Sequence, residues 1–218
     1  FWDVVQSQWS AVGTIQSGSV NGLFTAPSGT FVYVTGNFRS ILYAGSAVLN
    51  SSSIATLSGG GVWGALGRGL YGPTVNVYYP PGVSTMTTAP DGATVYAYGE
   101  GLDTAVQGNG SPVAFQGIAV WSTATQTWSR MPWQLSSGIS AMVVFQGDLH
   151  VGGYFTAQTS PTAGTLLRWN GDEWVAPATV SSPYTPGEGR LAYITTLLLL
   201  DEDNLFVGGY FREAIAPG

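Results

Sequence analysis

The chain has 218 residues, of which 8% are charged, where an average soluble protein carries roughly 25%. Its six basic residues are all arginine, set against twelve acids, for a net charge of −6. An acidic chain without lysine is excluded as a nucleic-acid binder, because phosphate binding depends on clustered Lys and Arg. The length suits one domain with a large core, and the absence of cysteine leaves the redox compartment unread.

Taken from the N-terminus, Phe1-Trp2-Asp3 and Gln8-Trp9-Ser10-Ala11-Val12 read as two short strands that form the second half of a repeat. Residues 20–38 (VNGLFTAPSGTFVYVTGNF) then predict a hairpin turning at Pro27-Ser28-Gly29-Thr30. A loop follows, then an apolar strand, Ile54-Ala55-Thr56-Leu57, a Gly-rich turn and a Trp-bearing strand around Trp63. The same order recurs from residue 83: VSTMTTAPDGATVYAYGEG, a loop, Ile118-Ala119-Val120-Trp121, and a strand around Trp128. It recurs again in ISAMVVFQGDLHVGGYF (139–155), Leu166-Leu167-Arg168-Trp169, the turn Asn170-Gly171-Asp172 and Glu173-Trp174. The last copy, 191–211, supplies a first half only.

Gly36, Gly99, Gly153 and Gly209 stand in register at intervals of 63, 54 and 56 residues. Short β-branched runs between turn signals predict antiparallel sheet, and no window keeps a 3.6-residue period. Four-stranded units at this spacing predict an all-β chain, a β-propeller whose blades bury one another. The expected organisation is a half blade at 1–13, blades at about 18–70, 82–136 and 137–180, and a half blade at 189–212. The two halves allow a closed four-bladed ring, but the preferred reading is a segment of a larger propeller and of a longer or processed polypeptide. Trp9, Trp63, Trp128 and Trp174 are expected to fill the gaps between blades, each burying about 150–250 Å².

IAVWSTATQTWSRMP followed by ISAMVVFQGDLHVGG resembles a kelch repeat, and LHVGGYFTA and LFVGGYFRE resemble the repeats of secreted, galactose-oxidase-type propellers. The resemblance implies an extracellular or cell-surface propeller, and kelch-like propellers usually hold six or seven blades. Gly36-Asn37 and Gly99-Glu100 replace the Gly-Gly pair, so the first two units depart from the pattern. The second is expected to be the most distorted.

Catalytic signals are sparse. His150, the single histidine, takes the strand position of Tyr33, Tyr96 and Phe206, which reads as packing. One His and no Cys cannot assemble the usual zinc sites, nor the copper site of galactose oxidase. Glu100 and Asp103 are the carboxylates best placed for glycoside hydrolysis, and Glu188 lies in a long loop. All three read as solvated loop acids. Asp201 and Asp203, in an acidic turn, are weak calcium candidates, although turn preferences alone account for them. No catalytic residue and no cofactor is expected.

Binding is expected in the loops that break the repeat. Residues 71–82 offer Tyr78, Tyr79, Pro80 and Pro81, and Trp133 is a further aromatic candidate; 101–117 and 181–189 are long polar loops. Asn50 and Asn109 head glycosylation sequons. No apolar run reaches the ~18 residues of a membrane span. Together these predict a non-enzymatic extracellular structural or adhesion propeller of a surface, cell-wall or appendage glycoprotein, with other subunits or copies of itself as partners. The alternatives are a glycan-binding, lectin-like module, or the non-catalytic part of a carbohydrate-active enzyme.

Overall fold

The computed structural model describes residues 2–3, 6–43, 47–73, 81–132, 135, 138–155, 164–181 and 192–215. Every regular element among them is a β-strand, as expected for a chain rich in Gly, Pro and β-branched residues. Strands β1 (Trp2–Asp3) and β2 (Gln8–Trp9) form a ribbon, and β3 (Thr14–Gln16) follows. Next come three hairpins: β4 (Val20–Thr25) with β5 (Phe31–Gly36), β6 (Ser40–Tyr43) with β7 (Ala47–Leu49), and β8 (Ile54–Ser58) with β9 (Trp63–Ala65). The first and third hairpins join as an antiparallel sheet of order β4-β5-β8-β9, while the middle one is set aside and pairs with β3.

The pattern repeats. β10 (Gly69–Tyr71) precedes β11 (Thr85–Thr88), β12 (Thr94–Tyr98), β13 (Thr104–Val106), β14 (Pro112–Ala114), β15 (Ile118–Ser122) and β16 (Thr127–Arg130). The second sheet is β11-β12-β15-β16, with β10-β13-β14 as its satellite. The third sheet is β17 (Ile139–Phe145), β18 (Asp148–Phe155), β19 (Gly164–Trp169) and β20 (Trp174–Val175). After β21 (Thr179–Ser181), a fourth, two-stranded sheet is formed by β22 (Tyr193–Leu199) and β23 (Leu205–Tyr210), and β24 (Glu213–Ile215) pairs back with β21.

The satellites correct the sequence reading, which placed loops after each register glycine. Strands of three or four residues with polar flanks carry too little alternation to stand out. Their clue is an apolar residue just after the glycine: Phe38 and Leu102 are buried, followed three positions on by buried Ile41 and Ala105.

The register glycines share one physical role. Gly36 pairs with Val20, Gly153 with Ile139 and Gly209 with Ile194. A methyl group on Gly36, Gly99, Gly153 or Gly209 would overlap the backbone carbonyl oxygen of Ser19, Gly82, Gly138 or Tyr193 respectively. Close backbone approach therefore demands glycine at all four places. In the first, third and fourth sheets a bulge lies opposite, leaving Asn21, Ser140 and Thr195 outside the ladder. The second sheet, expected to be the most distorted, pairs without a register shift from Thr85↔Tyr98 to Thr88↔Val95. Glu100 lies beyond the strand in a turn and leaves the ladder untouched.

The sheets stack face to face in chain order. Tyr33, Phe24 and Phe31 of the first sheet pack with Met86, Val95, Ala97 and Trp121 of the second. The second sheet's other face, with Tyr96, Tyr98, Ile118 and Val120, packs with Met142, Leu149, Val151 and Leu167 of the third. A side chain on Gly152 of the third sheet would run into Ile194 of the fourth. Tryptophans tie successive units together: the Trp63 indole N–H donates to the Val12 carbonyl (2.7 Å) and the Trp128 indole N–H to that of Leu66 (2.8 Å). Trp63, Trp128 and Trp174 are buried, whereas Trp9, on the two-stranded ribbon β1–β2, is 77% exposed.

Candidate functional site

The first strands of all four sheets, β4, β11, β17 and β22, line one cavity of about 490 Å³. Its polar wall comes from threonine and serine, including Thr25, Thr87, Ser140 and Thr195. Among the described residues that line it none is titratable, and the threonine and serine wall is suited to hydrogen bonding.

A second cleft, of about 330 Å³, opens where the first sheet's satellite meets β10. Asn37 and Arg39 reach it from the segment after β5, Asn50 from the end of β7, Tyr71 from β10, and Pro81 from the far side. Its floor is a buried serine run. The Ser52 N–H donates to the Arg68 carbonyl (3.0 Å), the Ser52 hydroxyl to the Phe38 carbonyl (3.2 Å), and the Ser53 N–H also to Phe38 (2.9 Å). The Tyr71 hydroxyl donates to the Arg68 carbonyl at 2.8 Å. Burial raises the Tyr71 phenol above its ordinary range, and the positive charges of Arg68 and Arg39 act in the opposite direction. Among the described residues, no carboxylate lies within ion-pair distance of Arg39 or Arg68; the one pair is Arg168 with Asp148 at 3.7 Å. In a chain of net charge −6, this cleft brings together Arg39, which has no carboxylate within ion-pair distance among the described residues, and the Tyr71 ring.

Of the expected loop candidates, Tyr78, Tyr79, Pro80 and Trp133 lie outside the described residues, as does Glu188, while Pro81 lines the cleft. Asn50 is exposed at the cleft edge. Asn109 is exposed in a turn, where its side-chain oxygen accepts the Ser111 N–H at 2.9 Å, and the neighbouring Gly110 leaves room for the Arg68 guanidinium. The 101–117 stretch, read as a loop, carries β13 and β14. From there Gln107 clamps β16, donating to the Trp128 carbonyl (2.7 Å) and accepting its N–H (2.8 Å). Arg39 and Tyr71 were missed from sequence because they belong to separate segments, the one just after β5 and the other in β10. Scarcity of positive charge was the available signal.

The remaining polar candidates have structural work. His150 is 5% exposed, edge-on to Phe145 (centroids 5.6 Å apart), with Nδ1 3.1 Å from the Asp148 carbonyl. Burial holds its pKa below the ordinary imidazole range. The Asp201 carboxylate accepts the Asp203 N–H (2.9 Å) and the Asn204 side-chain amide (2.8 Å), and the latter is the main reason its pKa is lowered. Asp91 and Asn170 make the same kind of side-chain-to-backbone turn. Among the described residues no cluster of three or more His, Cys, Asp or Glu could hold a metal. Glu100 and Asp103 are both exposed, and Asp103 accepts the Thr104 hydroxyl at 2.8 Å.

No family model and no curated protein matches this sequence. Among solved structures, a chain from the "Structure of U3-55K" is similar, at 12% identity and a TM-score of 0.44. The match covers 84% of this chain and 43% of that one, so the chain spans less than half the length of that solved relative.

Proposed function

We propose that this chain is a segment of a kelch-like β-propeller in an extracellular surface, cell-wall or appendage glycoprotein, with a structural or adhesive role and no catalysis. The observation that carries the reading is the stack itself: near-identical sheets bury each other through directional faces and send their first strands to one cavity. An architecture of this kind supports a scaffold, since its conserved geometry serves packing and its variable parts are surface clefts and connections. The low charge of the chain favours a surface shielded by glycan or by assembly. Intact mass before and after enzymatic deglycosylation, on protein taken from its natural source, is the test. Loss of N-glycan mass assigned to Asn50 or Asn109, with surface labelling of intact cells, is the expected result. An unmodified chain confined to the cytosol would overturn the placement.

The Arg39–Tyr71 cleft favours a second reading, a lectin-like module. An arginine fork and an aromatic ring suit a saccharide bearing a carboxylate or sulfate. Binding on a glycan array, lost in Arg39→Gln and Tyr71→Ala, is expected on this reading; a blank array would remove it.

A further inference from the structure

The two acceptor asparagines stand in different surroundings. Asn109 and Ser111 are exposed on the turn between β13 and β14, and Asn109 lines neither cavity described above. Asn50 is exposed as well, but it forms part of the wall of the cleft that Arg39, Tyr71 and Pro81 also line. A sugar joined to the Asn50 side-chain nitrogen therefore starts at the cleft, and one joined to Asn109 starts in solvent.

The cleft suits that sugar. Its volume of about 330 Å³ lies at the small end of ligand pockets, which run from about 300 to 1,000 Å³, a size for the first rings of a glycan rather than a whole antenna. Tyr71 presents its ring at 38% exposure, anchored by the bond from its hydroxyl to the Arg68 carbonyl. The C–H face of a pyranose packs on an aromatic ring of this kind. Among the described residues that line the cleft there is no carboxylate, and donors dominate its polar wall. Arg39 is exposed and has no acid within ion-pair distance among the described residues. Asn37 has its side-chain oxygen engaged by the Ser19 N–H at 2.6 Å, which leaves its amide hydrogens as donors. Such donors match the acetamido carbonyl and the hydroxyls of an N-acetylhexosamine, the sugar through which an N-glycan is joined.

The third residue of the sequon sets when the sugar arrives. Transfer requires the hydroxyl of Ser52, which is 5% exposed and donates to the Phe38 carbonyl at 3.2 Å, while Ser51 is 0% exposed. Ser52 also bridges to Gly69 at the start of β10, so closely that a methyl on Gly69 would overlap the Ser52 carbonyl oxygen. The folded chain thus presents no free acceptor at Asn50, whereas Asn109 stays open after folding.

We infer that the cleft is the seat of the chain's own N-glycan, attached to Asn50 before the first unit closes on β10, with Tyr71 and Arg39 holding its first sugar. The inference rests on the surface-glycoprotein reading and assigns the glycan a place on the molecule. It also sets that reading against the lectin-like one, because a cleft filled by its own sugar has no room for another.

The test uses the full chain secreted from a glycosylating eukaryotic host, with occupancy and enzymatic release followed peptide by peptide in the folded protein by mass spectrometry. Both asparagines are expected to be occupied. Release from Asn50 is expected to be roughly ten-fold slower than from Asn109, as for a glycan seated about nine-tenths of the time. Arg39→Ala and Tyr71→Ala are each expected to bring the Asn50 rate towards that of Asn109. Arg39 is an exposed position, so its variant keeps the comparison valid if Tyr71→Ala does not fold. Folded chain made without glycan and then offered to the transferase is expected to gain sugar at Asn109 alone; gain at Asn50 would overturn the order of attachment. Equal release from the two sites would overturn the inference, and so would slow release from Asn50 that neither substitution alters. Occupancy at Asn109 with Asn50 empty would overturn it while leaving the surface reading intact, whereas a chain bare at both sites would sink both.

Discussion

His150 shows how one side chain can look like chemistry and serve packing. It replaces an aromatic in a repeated register position, and burial favours its neutral form. In the unfolded chain imidazole titrates near 6.5, and the folded value is lower. Between the two, the unfolded state binds more protons, so stability rises with pH. The contribution is complete above about pH 6.5 and is lost as pH falls towards the depressed folded value. His150→Phe, which installs the residue found at position 206, is expected to flatten the stability profile below pH 6.5 in urea titrations and to leave it unchanged at pH 8. An unaltered acid limb would show that other groups control it. The histidine's packing role was legible in the sequence through its equivalents Tyr33, Tyr96 and Phe206; the meeting of Arg39 with Tyr71 was not, because the segment after β5 and strand β10 are distant in sequence and come together only at the cleft.

At the scale of the strand, the glycine and the bulge work as a unit. The pairs Val20↔Gly36, Ile139↔Gly153 and Ile194↔Gly209 each close a hairpin at its open end, where the first strand carries an extra residue. Gly153→Ala forces a methyl onto the Gly138 carbonyl, which is backbone and cannot rotate away. The expected cost is about 1–3 kcal/mol, as for other overpacking changes. Gly59→Ala, with nothing within 4 Å of the new methyl, is the control and should stay within about 0.5 kcal/mol. Equal midpoints in denaturant for the two variants would rule out the pinch. The hairpins were readable because turn residues and glycines announce them: Gln146 (φ 52°) and Gly147 (φ 87°) form the two-residue turn that the run FQGDL implied. The satellite strands were not readable, since they are only three or four residues long and β3 and β10 find their partners, β6 and β13, across an intervening hairpin.

For the whole molecule, stability resides in the contacts between sheets, because each sheet alone has two apolar faces. Tyr33 and Met86 come from different sheets but share one cluster. A double-mutant cycle of Tyr33→Ala and Met86→Ala is expected to show a coupling of about 0.5–3 kcal/mol. Tyr33→Ala with Leu167→Ala, which lie in separate clusters, should add within about 0.5 kcal/mol. Additivity in both cycles would mean the sheets stand independently. The all-β, antiparallel character of the chain followed from the repeat and its turn residues. Trp9, expected to fill a gap between sheets, is 77% exposed.

The satellite sheets carry a consequence for the order of events during synthesis. β3 leaves the ribosome before its partner β6, β10 before β13, and β21 before β24, and each pair joins the tail of one unit to the body of the next. A unit that has just emerged therefore has its nucleating strand waiting on the unit before it. The expected order of assembly is vectorial, from the N-terminus onward, each satellite strand waiting on its partner from the next unit.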